Sequence, residues 1–335
     1  MVPVTERFAI WEHVNIQRGV DAYLAAHGRG EAWIGLSGTA VHRPHEDLLS
    51  LIAHPMPFRG VQVGSAAYGT EPVGPEENTE VVMLGMMMAA APDGAPVVIG
   101  MRADRQFGPP HCRLEILAAD RAAAAATRDE IDRLIRVHDV FRGQVLSFSA
   151  NEHHGNELVS FLPRPRVTAE HVVLPDGLLQ SIEGHIIGVA DWSEELLSAG
   201  QHLKRGLLLH GPPGTGKTHT VRYLTARLAG STVILLTGMS IRFIDQAAAL
   251  ARRLQPSMVV LEDVDLVGMD RDFAAGSNPL LFSLLEAMDG VGADADVTFV
   301  LTLTRSLLGS GTGAGASPGE PAGRGPAPVR HRRQY

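Results

Sequence analysis

The sequence predicts an α/β protein: a parallel sheet in the second half of the chain, preceded by a smaller α+β domain. Three observations carry that prediction. GLLLHGPPGTGKTHTVRYLTARL, from Gly206, reads as an apolar strand, a glycine-rich loop and an amphipathic helix. SMVVLEDVDLV, from Ser257, contains a continuous apolar run of the kind that a parallel strand covered on both faces shows. Ahead of both, APVVIGMRA and CRLEILAAD alternate as strands do, and RAAAAATRDEIDRLIRVHDVF follows with helical spacing.

Taken in order, the first domain is expected to hold two strands, that helix, and a further strand at QVLSFSA. Ile131, Leu134, Ile135 and His138 lie on one stripe of the helix, which packing against a core explains without any chemistry. GRGEAWIGLSG, from Gly28, has glycines but no following Lys-Thr, and reads as loops. The two prolines of FLPRPRV fix an extended connector, which sets the expected division into 1–165, 166–305 and a tail of 306–335. VVLPDGLLQSIEGHIIGVADWSEELLSAG then reads as helical with breaks at Gly184 and Gly188. FVLTLTR, from Phe299, reads as a buried strand, whereas Ser306 to Tyr335 is rich enough in glycine and proline to be expected disordered.

Composition limits the function classes. With 335 residues and 45% hydrophobic side chains the chain can bury a sizeable core, and a net charge of -8 gives no electrostatic reason for a nucleic-acid partner. A single cysteine, Cys112, excludes an internal disulfide framework, suits a reducing cytosol and reads as a small core hydrophobe. MVPVTERFAIWEHV lacks the basic-then-apolar order of a signal peptide, and VVMLGMMMAAA, from Val81, is too short to span a bilayer. The expectation is a cytoplasmic protein with no membrane partner. NEHHGNE, from Asn151, tempts a metal reading through His153 and His154. Adjacent histidines point to different sides and no second ligand pair at zinc spacing exists, so it reads as a polar loop, as do His42 and His45. MDRDF, from Met269, reads as a charged loop.

The chemistry lies in the glycine-rich loop. Gly211, Gly214 and Gly216 allow backbone angles that turn successive N–H groups inward, and the following helix start adds unpaired donors and a partial positive charge. The loop therefore suits phosphate oxygens: Gly211, Pro212, Pro213, Gly214, Thr215 and Gly216 form the cradle, Lys217 reaches the β- and γ-phosphates, the Thr218 hydroxyl ligates Mg²⁺, and His219 follows. Hydrolysis also needs one carboxylate for the metal and one for water. Glu262 and Asp263 emerge at the end of the apolar run Met258–Leu261, where ligands of open α/β sheets bind.

GPPGTGKT, the carboxylate pair after VVL, and FSLLEAMDGVGADADVTFVLT together resemble the AAA family of P-loop ATPases, ring-forming enzymes that remodel or unfold macromolecules. The resemblance runs from about Val167 to Arg305. It implies the P-loop parallel sheet of the family's large subdomain, ATP and Mg²⁺ as cofactors, a homo-oligomeric ring and a protein substrate; it does not extend to the N-terminal domain, which is expected to recognise a partner. It places Ile187 and Gly188, with Ile186, at the adenine, and Leu284–Gly290 on the helix before a sensor strand. The family's usual order is Asp then Glu; here Glu262 precedes Asp263, as in the Bcs1-like branch. By position Glu262 holds the metal and Asp263, one methylene shorter, acts on water. Thr304 stands where the family has a sensor asparagine, and keeps a donor but loses the amide. IRFID sits where a pore loop begins; Phe243 is either its substrate-gripping aromatic or a buried ring at the foot of a helix. The family's arginines and helical lid are not recognisable after Arg305. That leaves an alternative: a nucleotide-binding but hydrolysis-defective switch, or a truncated product of a shifted reading frame.

Overall fold

The alternating stretches of the first region fold as an antiparallel sheet. The computed structural model describes residues 2–29, 32–37, 62–104, 110–150, 157–267 and 279–304. The first sheet runs β1 (Val2–Ala9), β7 (His111–Ala118), β6 (Pro96–Asp104), β5 (Asn78–Ala90), β2 (Ile34–Ser37) and β3 (Gln62–Ser65), with β4 (Ala67–Pro72) also paired to β5. One face is apolar. Ile99 and Met101 of β6 lie opposite Ile116 and Leu114 of β7, and they pack on helices α1 (His13–His27) and α2 (Arg121–Val137) through Ile16, Val20, Tyr23, Ile131 and Ile135. The alternate positions give the other face a different character: Arg102, Asp104, Arg113 and Glu115 are buried there.

The sequence reading expected two strands here, β6 and β7, with helix α2, and did not name β1 to β5 or α1. GRGEAWIGLSG was expected to be loop, yet Ile34–Ser37 within it is a strand, pairing with β3 along its length. Four residues are too few for periodicity to register. The helix stripe holds at Ile131 and Ile135, but His138 is the exposed residue that ends the helix.

The second sheet is parallel apart from its last pair, with order β10 (Arg205–His210), β13 (Val297–Leu303), β12 (Ser257–Glu262), β11 (Thr232–Thr237), β8 (Val145–Ala150) and β9 (Glu157–Leu162). Its central strands are covered on both sides, as the unbroken apolar runs require. Val233, Met258, Val260 and Val300 face helices α3 (Leu178–Asp191) and α5 (Lys217–Arg227). Ile234, Leu236, Val259, Leu261 and Phe299 face α6 (Ile244–Arg253) and α8 (Pro279–Asp289). Between them lie the short helices α4 (Ser193–Ser198) and α7 (Val264–Val267).

The boundary expected near residue 165 does not separate the two sheets. β8 and β9, assigned by the sequence to the first domain, form the far edge of the second sheet, because Val145 and Leu146 pair with Val233 and Ile234. Alternation identifies a strand without saying which sheet it joins. Of the expected connector FLPRPRV, Phe161 and Leu162 end β9, and residues 163–168 have no regular structure. Arg164 within it donates to the carbonyls of Thr225 and Leu228 at the end of α5, and to those of Gly143 and Ser231.

Helix α3 runs unbroken through Gly184 and Gly188, where breaks were expected. A helical glycine costs about 1 kcal/mol. Ile182 and Ile186, four apart and buried against α5, offset that cost. Phe243 is buried and packs on Phe148 with ring centroids 6.1 Å apart, so its reading as a core aromatic is the one that fits. His42, His45, His153, His154, MDRDF and the tail lie outside the described residues.

The two regions are joined by a continuous core. Val14, Phe141 and Phe148 share one cluster with Ile234, Ile244 and Phe299. At its rim, Arg253 at the end of α6 binds Glu12 at 2.8 Å and Asp139 at 2.9 Å. Asn15 completes the joint, donating to Glu12 and accepting from the Val140 N–H.

Candidate functional site

The glycine-rich loop leaves β10 at Gly211, whose N–H donates to Leu303 of the adjacent strand β13. Gly214 and Gly216 have φ of +81° and +88°, in the left-handed region, and an added Cβ at either would meet nothing within 4 Å. The loop therefore curls around open space and hands over to α5 at Lys217. Thr215 closes it by donating to the Pro212 carbonyl at 2.9 Å. Lys217 is turned onto the loop itself, with Nζ 2.8 Å from the Gly211 carbonyl and 3.0 Å from that of Pro212. Both are neutral acceptors, which a phosphate oxygen outbids because its bond to the ammonium is charge-assisted.

The neighbouring strand ends supply the acids. Thr218 hydrogen-bonds the Glu262 carboxylate, while burial, and next among the raising causes the Asp263 charge, push the Glu262 pKa up from its ordinary value. Glu262 Oε1 is buried with no hydrogen-bond partner among the described residues. An orphaned carboxylate oxygen beside a threonine hydroxyl suits a hard divalent cation, whose charge would remove the desolvation cost. Asp263 takes φ of +51°, which non-glycine residues rarely adopt and which turns it out of the strand direction. Its N–H donates to Thr302 Oγ1 at 2.8 Å, and its Oδ1 accepts from the Thr304 hydroxyl at 3.3 Å. The Thr304 N–H in turn donates to Asp265 at 3.1 Å.

These groups converge. A cavity of 490 Å³ is lined by Pro213 to His219, Arg222, Asp263 and Thr304. A second, of 470 Å³, shares Thr215 and Lys217 with it and has an apolar wall that includes Leu174, Pro175, Leu178 and Ile182. The first suits phosphates and the second a flat apolar ring. Ile187 and Gly188, assigned to the adenine, do not line the second cavity; they lie further along α3, with Ile187 against the core. The resemblance placed them at the adenine; in the continuous helix the α3 residues that line this cavity are Leu178 and Ile182 of its first turns. That wall is fixed to α5 through Glu183, which accepts from the Tyr223 hydroxyl and lies 3.8 Å from Arg227.

Sequence reasoning missed Thr302, Asp265, Arg222 and the wall of the second cavity. Thr302 was findable, because LTLT places Thr302 and Thr304 on one side of the strand. Asp265 and Arg222 carry no local signal.

Residues 207–308 match the ATPase family associated with various cellular activities (AAA). The chain carries an AAA domain. Similarity to individual AAA proteins is spread over several kinds. The mitochondrial chaperone BCS1 of Bos taurus is 36% identical over 150 residues, which cover 42% of this chain and 36% of that protein. The ATP-dependent zinc metalloprotease FtsH 2 of Symbiobacterium thermophilum is 29% identical over 144 residues, 38% of this chain and 24% of the other. The 26S proteasome regulatory subunit 6B homolog of Schizosaccharomyces pombe is 25% identical over 241 residues, 63% and 59% of the two chains. The chain thus spans less than two thirds of the length of each of these relatives. Its Glu-Asp order is found in an AAA domain that is similar to BCS1.

Proposed function

We propose that the AAA domain binds ATP with Mg²⁺ and hydrolyses it, and that the chain couples this to remodelling a protein partner in the cytoplasm. The observation that carries the reading is the 490 Å³ cavity, where the glycine loop, Asp263 and Thr304 share one space. The loop amides and Lys217 would hold the phosphates, the wall of Leu174, Pro175, Leu178 and Ile182 the adenine, and Thr218 with Glu262 the metal. Bound Mg²⁺ supplies charge neutralisation at the phosphates. Asp263 takes the proton from the attacking water as the terminal P–O bond breaks, releasing ADP and phosphate. Thr304, already donating to Asp263, fixes the direction of that carboxylate. A protein partner is suggested by the names of the similar proteins, a chaperone, a protease and a proteasome regulatory subunit. Assembly as a homo-oligomeric ring is part of the same proposal, testable by solution mass with and without ATP.

The second reading, a nucleotide-binding switch that hydrolyses poorly, rests on the shortness of both Asp263 and Thr304 at the reacting end. One experiment separates the two. Binding of ATP with and without Mg²⁺ is measured first, then phosphate release. Turnover that disappears in Lys217→Ala supports the enzyme, since that residue's charge-assisted bonds to phosphate are lost. Binding without turnover supports the switch. A wild-type chain that binds no nucleotide overturns both.

A further inference from the structure

Arg222 has no structural task that accounts for it. It stands four residues after Thr218 on α5, so the two side chains share one face of the helix, a turn apart. Its guanidinium is exposed, donates no hydrogen bond among the described residues, and lies within ion-pair distance of no carboxylate there. Its charge is nevertheless felt at the site, where it works against the burial that raises the Glu262 pKa. It lines the phosphate cavity and also a neighbouring cavity of 670 Å³, whose lining includes Thr218 and Glu262 besides the apolar Val145, Val221 and Val233. With free volume on both sides, packing holds the guanidinium in neither position.

The charge balance of the phosphate cavity indicates what this arginine is for. Asp263 lines the reacting end of this cavity, while Glu262 lies beside Thr218 in the neighbouring one, where a bound metal would offset it; a terminal phosphate therefore meets the Asp263 carboxylate. Of the lysines and arginines, Lys217 and Arg222 line this cavity, and Lys217 lies at the loop. Thr304 is neutral, so on the carboxylate side Arg222 is the cation of the described lining. An arginine offers several donors in a fixed fork that matches phosphate oxygens, which a lysine does not.

We propose that Arg222 is a nucleotide-binding residue that reads the terminal phosphate in cis, swinging from its uncommitted position to donate to γ-phosphate oxygens and so setting the preference for ATP over ADP. The assignment rests on the nucleotide reading above and goes beyond it, because Lys217 serves the β- and γ-phosphates together, and no cation of the described lining other than Arg222 is free to answer the terminal phosphate alone.

The test is equilibrium binding of MgADP and of a non-hydrolysable Mg-ATP analogue to the full chain and to Arg222→Gln and Arg222→Lys. Losing one charge-assisted bond to phosphate weakens analogue binding about 10- to 100-fold in Arg222→Gln while MgADP binding stays within about twofold. Arg222→Lys, keeping the charge but not the fork, recovers part of the loss. Because the side chain is exposed and makes no hydrogen bond among the described residues, the urea midpoint of both variants matches the wild type. Equal weakening of both nucleotides, or none of either, overturns the assignment and leaves the ATPase reading standing. A wild-type chain that binds neither nucleotide, judged beside Lys217→Ala, overturns both.

Discussion

The two sheets bury their strands by different rules. In the parallel sheet the covered positions of β12 and β13 are largely apolar, and ionisable groups stand at strand ends: Arg205 pairs with Asp296 at the N-terminal end of β10, and Glu262 and Asp263 close β12 beside the loop. In the antiparallel sheet one face follows the same rule while the other buries Arg102, Asp104, Arg113 and Glu115 along the strands themselves. The joint between the sheets is of the second kind, with Arg253 between Glu12 and Asp139. Charges at strand ends can exchange solvent for ligand, and so can do chemistry. Charges within a joint are satisfied by one another, and so specify how two layers meet.

The largest expected effect tests the chemical end. In Asp263→Asn, phosphate release falls by about 10²- to 10⁴-fold, the usual contribution of a positioned base, with ATP binding kept. Asparagine preserves the acceptor for Thr304 and costs the fold little. Steady-state turnover beside equilibrium binding reads both, and undiminished turnover would move the base elsewhere.

The joint is tested by Arg253→Met. Removing the cation paired with both leaves two buried carboxylates close together, a loss of about 3–5 kcal/mol in urea unfolding. A loss below about 1 kcal/mol, the range of solvated surface pairs, would show that the joint is wet and that the contrast between the sheets is overstated.

Between these stands Thr302→Val, which touches the site without touching a reacting group. The Asp263 N–H loses its acceptor at a residue already held at φ of +51°, costing about 1–3 kcal/mol and lowering turnover in step. Stability lost with turnover unchanged would mean that the turn, not the direction of the carboxylate, is what Thr302 holds.

The same contrast explains what could be read from the sequence. The parallel half was legible because its chemistry is local: the loop, its lysine and the acid pair each occupy a few consecutive residues, and the unbroken apolar runs announce covered strands. Where the site depends on residues far apart in the chain, legibility fails. The wall at Leu178 and Ile182 depends on α3 continuing through two glycines, and Arg222 matters only once its helix faces Asp263. The antiparallel half has no such motif, and its strand Ile34–Ser37 and the crossing of β8 into the second sheet are set by pairing partners that periodicity does not name.

The smallest effect concerns the proton balance of the joint. Burial, outweighing the attraction of Arg253, raises the pKa of Glu12 above its ordinary value, and burial does the same to Asp139. At low pH, Glu12 is protonated in both the folded and unfolded chains and adds nothing. As pH rises past the unfolded value the unfolded chain gives up its proton first, so stability falls until the folded pKa is passed and then stays level. Glu12→Gln removes that descent while keeping partners for Arg253 and Asn15. The stability of the wild type relative to Glu12→Gln, measured by urea unfolding across mildly acid to neutral pH, is expected to decline as pH rises. A difference that is flat or grows with pH would mean that Arg253 fully compensates Glu12, and that the joint buries its charges as cheaply as the strand ends expose theirs.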